Sequence, residues 1–148
     1  MKRIPRRTLV ILGAAVLLMA ASASAQIYKY YSPGTIWTVT TIRIKSGMDP
    51  AYLGYLDSQF KKESDAQVNA GYMKSYKILR TLDDDSGWNL LILREYKNLA
   101  SLEADAEKAD ALSQRVAGTD AVQMSGYEDR SKIREVLATK TARELILK

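Results

Sequence analysis

Seven side chains of this 148-residue sequence share a chemistry: Trp37, Tyr76 and Trp88 are flat aromatic groups, and Arg43, Arg80, Arg94 and Arg143 carry rigid, forked cations. Aromatic rings beside a few guanidinium donors can stack on a planar molecule and hold its oxyanion through paired hydrogen bonds. On that ground Trp37, Tyr76, Trp88 and Arg94 are the candidate ligand-binding residues, for a small aromatic or acidic molecule. Trp, Tyr and Arg are also enriched in protein interfaces, and packing in a core or interface is the favoured of the two readings.

Composition removes most other chemistry. There is no histidine and no cysteine, so zinc sites, Ser-His-Asp triads, Cys-His pairs and disulfides are excluded. No metal and no cofactor is expected, and no catalytic residue is assigned. Proton transfer would fall to Asp, Glu, Lys or Tyr with a shifted pKa, and none of these stands in a catalytic motif. The run Asp83-Asp84-Asp85 lacks the alternating oxygen ligands of a calcium loop and reads as a solvated turn. Glu95 and Glu144 are expected to face solvent near strand ends, on the face opposite their neighbouring arginines.

Elements that would position these residues follow from local patterns. Ile36 to Lys45 is rich in Trp, Val, Thr and Ile and reads as a strand. Asp49-Pro50 starts a helix, with Asp49 as its cap; Leu53, Leu56, Phe60 and Val68 recur on its apolar side, and Gly71 stops it. Met73 to Leu82 and Trp88 to Tyr96 read as a hairpin joined at Asp83 to Gly87. Asn98 caps a second helix with Leu99, Leu102, Ala106, Ala109, Leu112 and Val116 on one stripe, ending at Gly118. Between Thr119 and Ala138 a short helix fits either Ala121 to Gly126 or Arg130 to Leu137, and Lys140 to Leu147 reads as a last strand, with a helical tail as the alternative.

The N-terminus reads as a cleaved signal peptide over residues 1–25. Lys2, Arg3, Arg6 and Arg7 precede an apolar run from Leu9 to Ala21, and Ala23-Ser24-Ala25 offers the small residues of a cleavage site before Gln26. The expected address is therefore periplasmic or extracellular. Residues 26–35, with Tyr28, Tyr30 and Tyr31, read as an N-terminal arm, and 36–148 as one domain. The formal charge of +5 loses its meaning without the leader: of 22 Lys and Arg, 18 remain against 17 Asp and Glu. A nearly neutral domain argues against nucleic acid as a partner, and no membrane association is expected after cleavage.

Strand, helix, strand, strand, helix, strand is the split βαβ plan, which sets both helices on one face of an antiparallel sheet. Alternation places Trp37, Val39, Tyr76, Ile78, Trp88, Leu90 and Ile92 on one face and Ile42, Ile44, Leu79, Leu91 and Leu93 on the other. Both faces are too apolar for water, so a homodimer is expected to cover the one that the helices leave bare.

The stretch from Ile36 to Tyr96 resembles the dimeric α+β barrel superfamily, through Trp37-Thr38-Val39-Thr40-Thr41-Ile42-Arg43-Ile44-Lys45-Ser46-Gly47, Tyr52-Leu53, Gly71-Tyr72-Met73, Trp88-Asn89-Leu90-Leu91 and Tyr96-Lys97-Asn98-Leu99. That superfamily includes antibiotic-biosynthesis-type monooxygenases and stress-responsive barrel proteins. The resemblance implies an α+β, ferredoxin-like βαββαβ fold. The residues themselves read first as a small-molecule-binding or interaction module, and the resemblance alone implies the alternative, a cofactor-independent monooxygenase or isomerase acting on an aromatic or quinone-like substrate. Haem-degrading members rely on a histidine that this sequence lacks.

Overall fold

The computed structural model describes residues 29–83 and 87–148. The expected leader, its cleavage site and Tyr28 lie outside the described residues, as do Asp84, Asp85 and Ser86 of the hairpin tip.

The elements run β1 (Tyr31–Ile44), α1 (Asp49–Tyr55), a π-helical turn (Leu56–Phe60), α2 (Lys61–Asn69), β2 (Ser75–Arg80), β3 (Leu90–Tyr96), α3 (Leu99–Ala104), α4 (Ala106–Ala117), α5 (Asp120–Ile133) and β4 (Arg134–Leu147). The four strands form one sheet in the order β2-β3-β1-β4. Both β2 and β1 pair antiparallel with β3. Thr35 bonds Glu144, Thr40 bonds Thr139 and Arg43 bonds Glu135, an order that makes β4 antiparallel to β1 as well. This is the expected ferredoxin-like α+β topology. The chain divides into two compact units, Thr35–Glu144 and one formed by the chain ends, of which 29–34 and 145–148 are described. In the latter the Lys148 N–H donates to the Tyr30 carbonyl at 3.2 Å, and Leu145, Ile146 and Leu147 are exposed.

Several local expectations meet a different outcome. β1 begins at Tyr31 rather than Ile36, so much of the expected arm is strand. Residues 119–138 hold one unbroken helix to Ile133, after which the chain turns extended at Arg134, and the C-terminal segment is a strand. Asp49 starts α1 but forms no cap bond; its carboxylate pairs with Arg80 instead. Asn98 does cap α3: its Oδ1 accepts from the Ser101 N–H at 2.7 Å, and the Ser101 hydroxyl accepts from the Asn98 N–H at 3.3 Å. Gly71 ends the first helical segment with φ +77°, where a Cβ would be strained.

The core of Thr35–Glu144 joins Ile42, Ile44, Leu90 and Ile92 of the sheet to Tyr52, Leu56 and Phe60 of the first helical segment. On that segment Leu56 and Phe60 are buried as the sequence pattern implies, but Leu53 is 41% exposed and Tyr52 is buried in its place.

Pairing register also corrects the two sheet faces. Opposed residues share a face, and Thr40 opposes Ile92, Ile42 opposes Leu90, Tyr76 opposes Arg94 and Ile78 opposes Ile92. Ile42 and Ile44 therefore share the helix-covered face with Tyr76, Ile78, Leu90 and Ile92. Trp37 and Val39 share the other with Leu79, Leu91 and Leu93. Alternation separates faces within a strand but cannot say which parity of one strand meets which parity of the next. Among the described residues no helix is long and apolar enough to cross a membrane.

Candidate ligand-binding cavity

Aromatic side chains reach the helix-covered face of the sheet because of an irregularity in the first helical segment. The Lys61 N–H donates to the Leu56 carbonyl five residues back, the signature of a π turn. A regular helix returns to the same face after three or four residues. The wider turn carries Phe60, five residues after Tyr55, onto the face that already holds Tyr52 and Tyr55. Tyr52 and Tyr55 stack with centroids 5.8 Å apart, and Phe60 lies 6.5 Å from Tyr55.

Opposite these rings the sheet contributes Thr40, Ile42, Ile92 and Arg94, and α5 closes the space with Gln123, Tyr127 and Arg130. The helix ends at Ile133, and Arg134 follows with extended φ −145° and ψ 165°, its side chain turned inward and only 9% exposed. The half-open cavity measures about 410 Å³, inside the range of roughly 300–1,000 Å³ usual for small-molecule pockets.

Three guanidinium groups line it, each over an aromatic ring. Arg94 lies 5.2 Å from the Phe60 centroid, Arg130 4.4 Å from Tyr55, and Arg134 5.6 Å from Tyr52 and 5.5 Å from Tyr127. Glu63 is the one carboxylate in the lining, and among the described residues none of the three arginines forms an ion pair. The Nε atoms of Arg130 and Arg134 are buried without a hydrogen-bond partner there. A cation–π contact contributes about 0.5–2 kcal/mol, whereas taking a charge out of water costs several kcal/mol. The rings alone do not offset the burial of Arg134.

Burial pushes the Tyr52 hydroxyl up to about 12, with Arg134 pulling the other way. Tyr55 is raised for the same first reason, opposed mainly by Arg130. Both are protonated at neutral pH and offer O–H donors rather than bases. Among the described residues no group of three or more carboxylates gathers as a metal site.

The four residues singled out from the sequence separate. Arg94 lies in the cavity. Tyr76 opposes it across β2 and β3 but sits one ring away, edge-on to Phe60 at 5.7 Å, with its hydroxyl donating to Asp65 at 2.7 Å. Trp88 is half-buried just before β3, outside the cavity lining. Trp37 is on the opposite face, with the Lys77 ammonium 5.8 Å from its ring. The other arginines are engaged or remote: Arg43 donates to the Gly87 carbonyl at 2.6 Å and pairs with Glu135, Arg80 pairs with Asp49, and Arg143 is exposed. Glu144 is exposed as expected, but Glu95 is buried and pairs with Lys74 at 2.7 Å.

Missing from the sequence reading were Tyr52, Tyr55, Arg130 and Arg134. A usable signal existed in Tyr127 and Arg130, whose spacing of three matches one helical face; Arg134 lies beyond the helix, in extended backbone.

No protein-family model and no curated protein sequence matches this chain. Among solved structures it is similar to HapK from Hahella chejuensis, with a TM-score of 0.50 at 12% identity, covering 74% of this chain and 92% of that one. Two dimeric ferredoxin-like proteins from uncultured marine organisms are similar at a TM-score of 0.49. One is 10% identical, covering 79% of this chain and 90% of its own, and the other 15% identical, covering 78% and 96%. Strand order, antiparallel pairing and the likeness to HapK together identify the chain as an α+β domain of ferredoxin-like fold.

Proposed function

We propose that this chain is an exported, homodimeric binding domain whose small-molecule ligand occupies the cavity between the sheet and the helices. The observation that carries this reading is the cavity of about 410 Å³ walled by Tyr52, Tyr55, Phe60 and Tyr127. Four rings around one space suit a flat organic molecule, since stacking rewards planar partners. Pairing of two copies is supported by the uncovered sheet face, where Trp37, Val39, Leu91 and Leu93 stay only half-buried and Leu79 is 49% exposed. Export rests on the leader-like residues 1–25, and the address it implies is periplasmic or extracellular.

A catalytic use, cofactor-independent oxygenation or isomerisation of an aromatic substrate, has one observation in its favour: Glu63 brings a carboxylate to the cavity wall.

Ligand-observed NMR with one- and two-ring aromatic compounds tests the binding reading. Saturation transfer should reach such compounds from the wild-type chain and vanish in Thr139→Trp, which fills the cavity from its exposed rim. Equal transfer in both proteins would refute the cavity as the binding site.

A further inference from the structure

The cavity is more selective than its aromatic walls require. Three guanidinium groups and, among the described residues, the single carboxylate of Glu63 line the cavity, leaving two positive charges uncompensated there. Arg134 is nine-tenths buried, and its Nε, like that of Arg130, has no acceptor among the described residues. Buried donors of this kind normally find a partner. Lys61, Lys108 and Lys132, by contrast, each pair with a carboxylate on the surface, and Lys74 pairs with the buried Glu95. Arg94, Arg130 and Arg134, which form no ion pair among the described residues, all line a cavity that a small molecule can enter.

We infer that the cavity takes an aromatic carboxylate, its ring held among Tyr52, Tyr55 and Phe60 and its carboxylate bound by Arg130 and Arg134. This rests on the binding reading above and names its ligand class. An ionised carboxylate accepts from both nitrogens of a guanidinium fork and halves the charge excess that the protein leaves open. A free inorganic anion would satisfy the arginines but leave the aromatic walls without a partner.

Calorimetric titration of the wild-type full chain with 2-naphthoate, 2-naphthamide and inorganic phosphate tests the inference. The acid should bind at least about tenfold more tightly than the neutral amide, and phosphate should compete only weakly. Arg134→Met and Arg130→Met should each remove that preference while the amide binds as before, their fold being checked by circular dichroism. If acid and amide bind equally, and Thr139→Trp blocks both, the cavity reading stands and the anion inference is overturned. If neither compound binds, both readings fall. The wild-type comparison of acid with amide decides the inference even if an arginine variant does not fold.

Discussion

The guanidinium of Arg134 lies 5.6 Å from the ring centroid of Tyr52, and both residues are buried between the sheet and the helices. Tyr52 stands near the start of the first helical segment and Arg134 at the junction of α5 with β4. Their contact closes the fold across 82 positions of sequence, the interval from 52 to 134. Two effects oppose each other at Tyr52: burial makes the phenolate costly, and the Arg134 cation lowers that cost.

Titration should expose this coupling. Ultraviolet absorbance of the nine tyrosines should show one component ionising near pH 12 that Tyr52→Phe removes. Replacing Arg134 with Met takes away the favourable charge, so that component should move still higher. A downward shift in Arg134→Met would contradict the placement of the guanidinium over the ring.

Acid stability should depend on Glu95. Burial pushes its carboxyl up, but hydrogen bonds from Lys74, Ser75 and Thr35 outweigh this and hold it below the usual carboxylate range. A carboxyl depressed in the folded state contributes stability that is fully present above its unfolded pKa and is lost as pH falls through the folded value. Urea unfolding of Glu95→Gln should show a loss of about 1–3 kcal/mol at pH 7, with the gap to wild type closing as pH falls below 4. An unchanged gap down to pH 2 would show that the ionised form of Glu95 contributes nothing.

The two faces of the sheet should respond differently to substitution. Leu93→Asp, on the uncovered face, should convert a dimer to a monomer in light scattering while the secondary structure persists. Ile42→Ala, on the covered face, should cost about 2–5 kcal/mol of folding stability and leave the mass in solution unchanged. A wild-type chain that scatters as a monomer at micromolar concentration would remove the proposed pairing.

Export makes its own prediction. Mass spectrometry of the protein recovered from the envelope or medium of a bacterial host should give a chain beginning at Gln26. Recovery of a full-length chain from the cytoplasm alone would argue against a cleaved leader.

Sequence by itself determined the order of elements, because the forces that start and stop helices and strands act over a few residues. Asn98 and Ser101 satisfy each other's backbone within one turn, and Gly71 supplies a positive φ wherever the rest of the chain lies. The ferredoxin-like plan followed from that order and from the handedness of the crossovers. Tertiary structure alone decided which side chains meet. Register matched Thr40 with Ile92 and so sent Trp37 away from Tyr76 and Arg94, a relation set by hydrogen bonds between distant strands. The π turn rotated Phe60 toward Tyr55, and the change from helix to strand at Arg134 buried a cation that its neighbours would have left in water. A charge becomes a binding group through its surroundings, and those surroundings come from elements far apart along the chain.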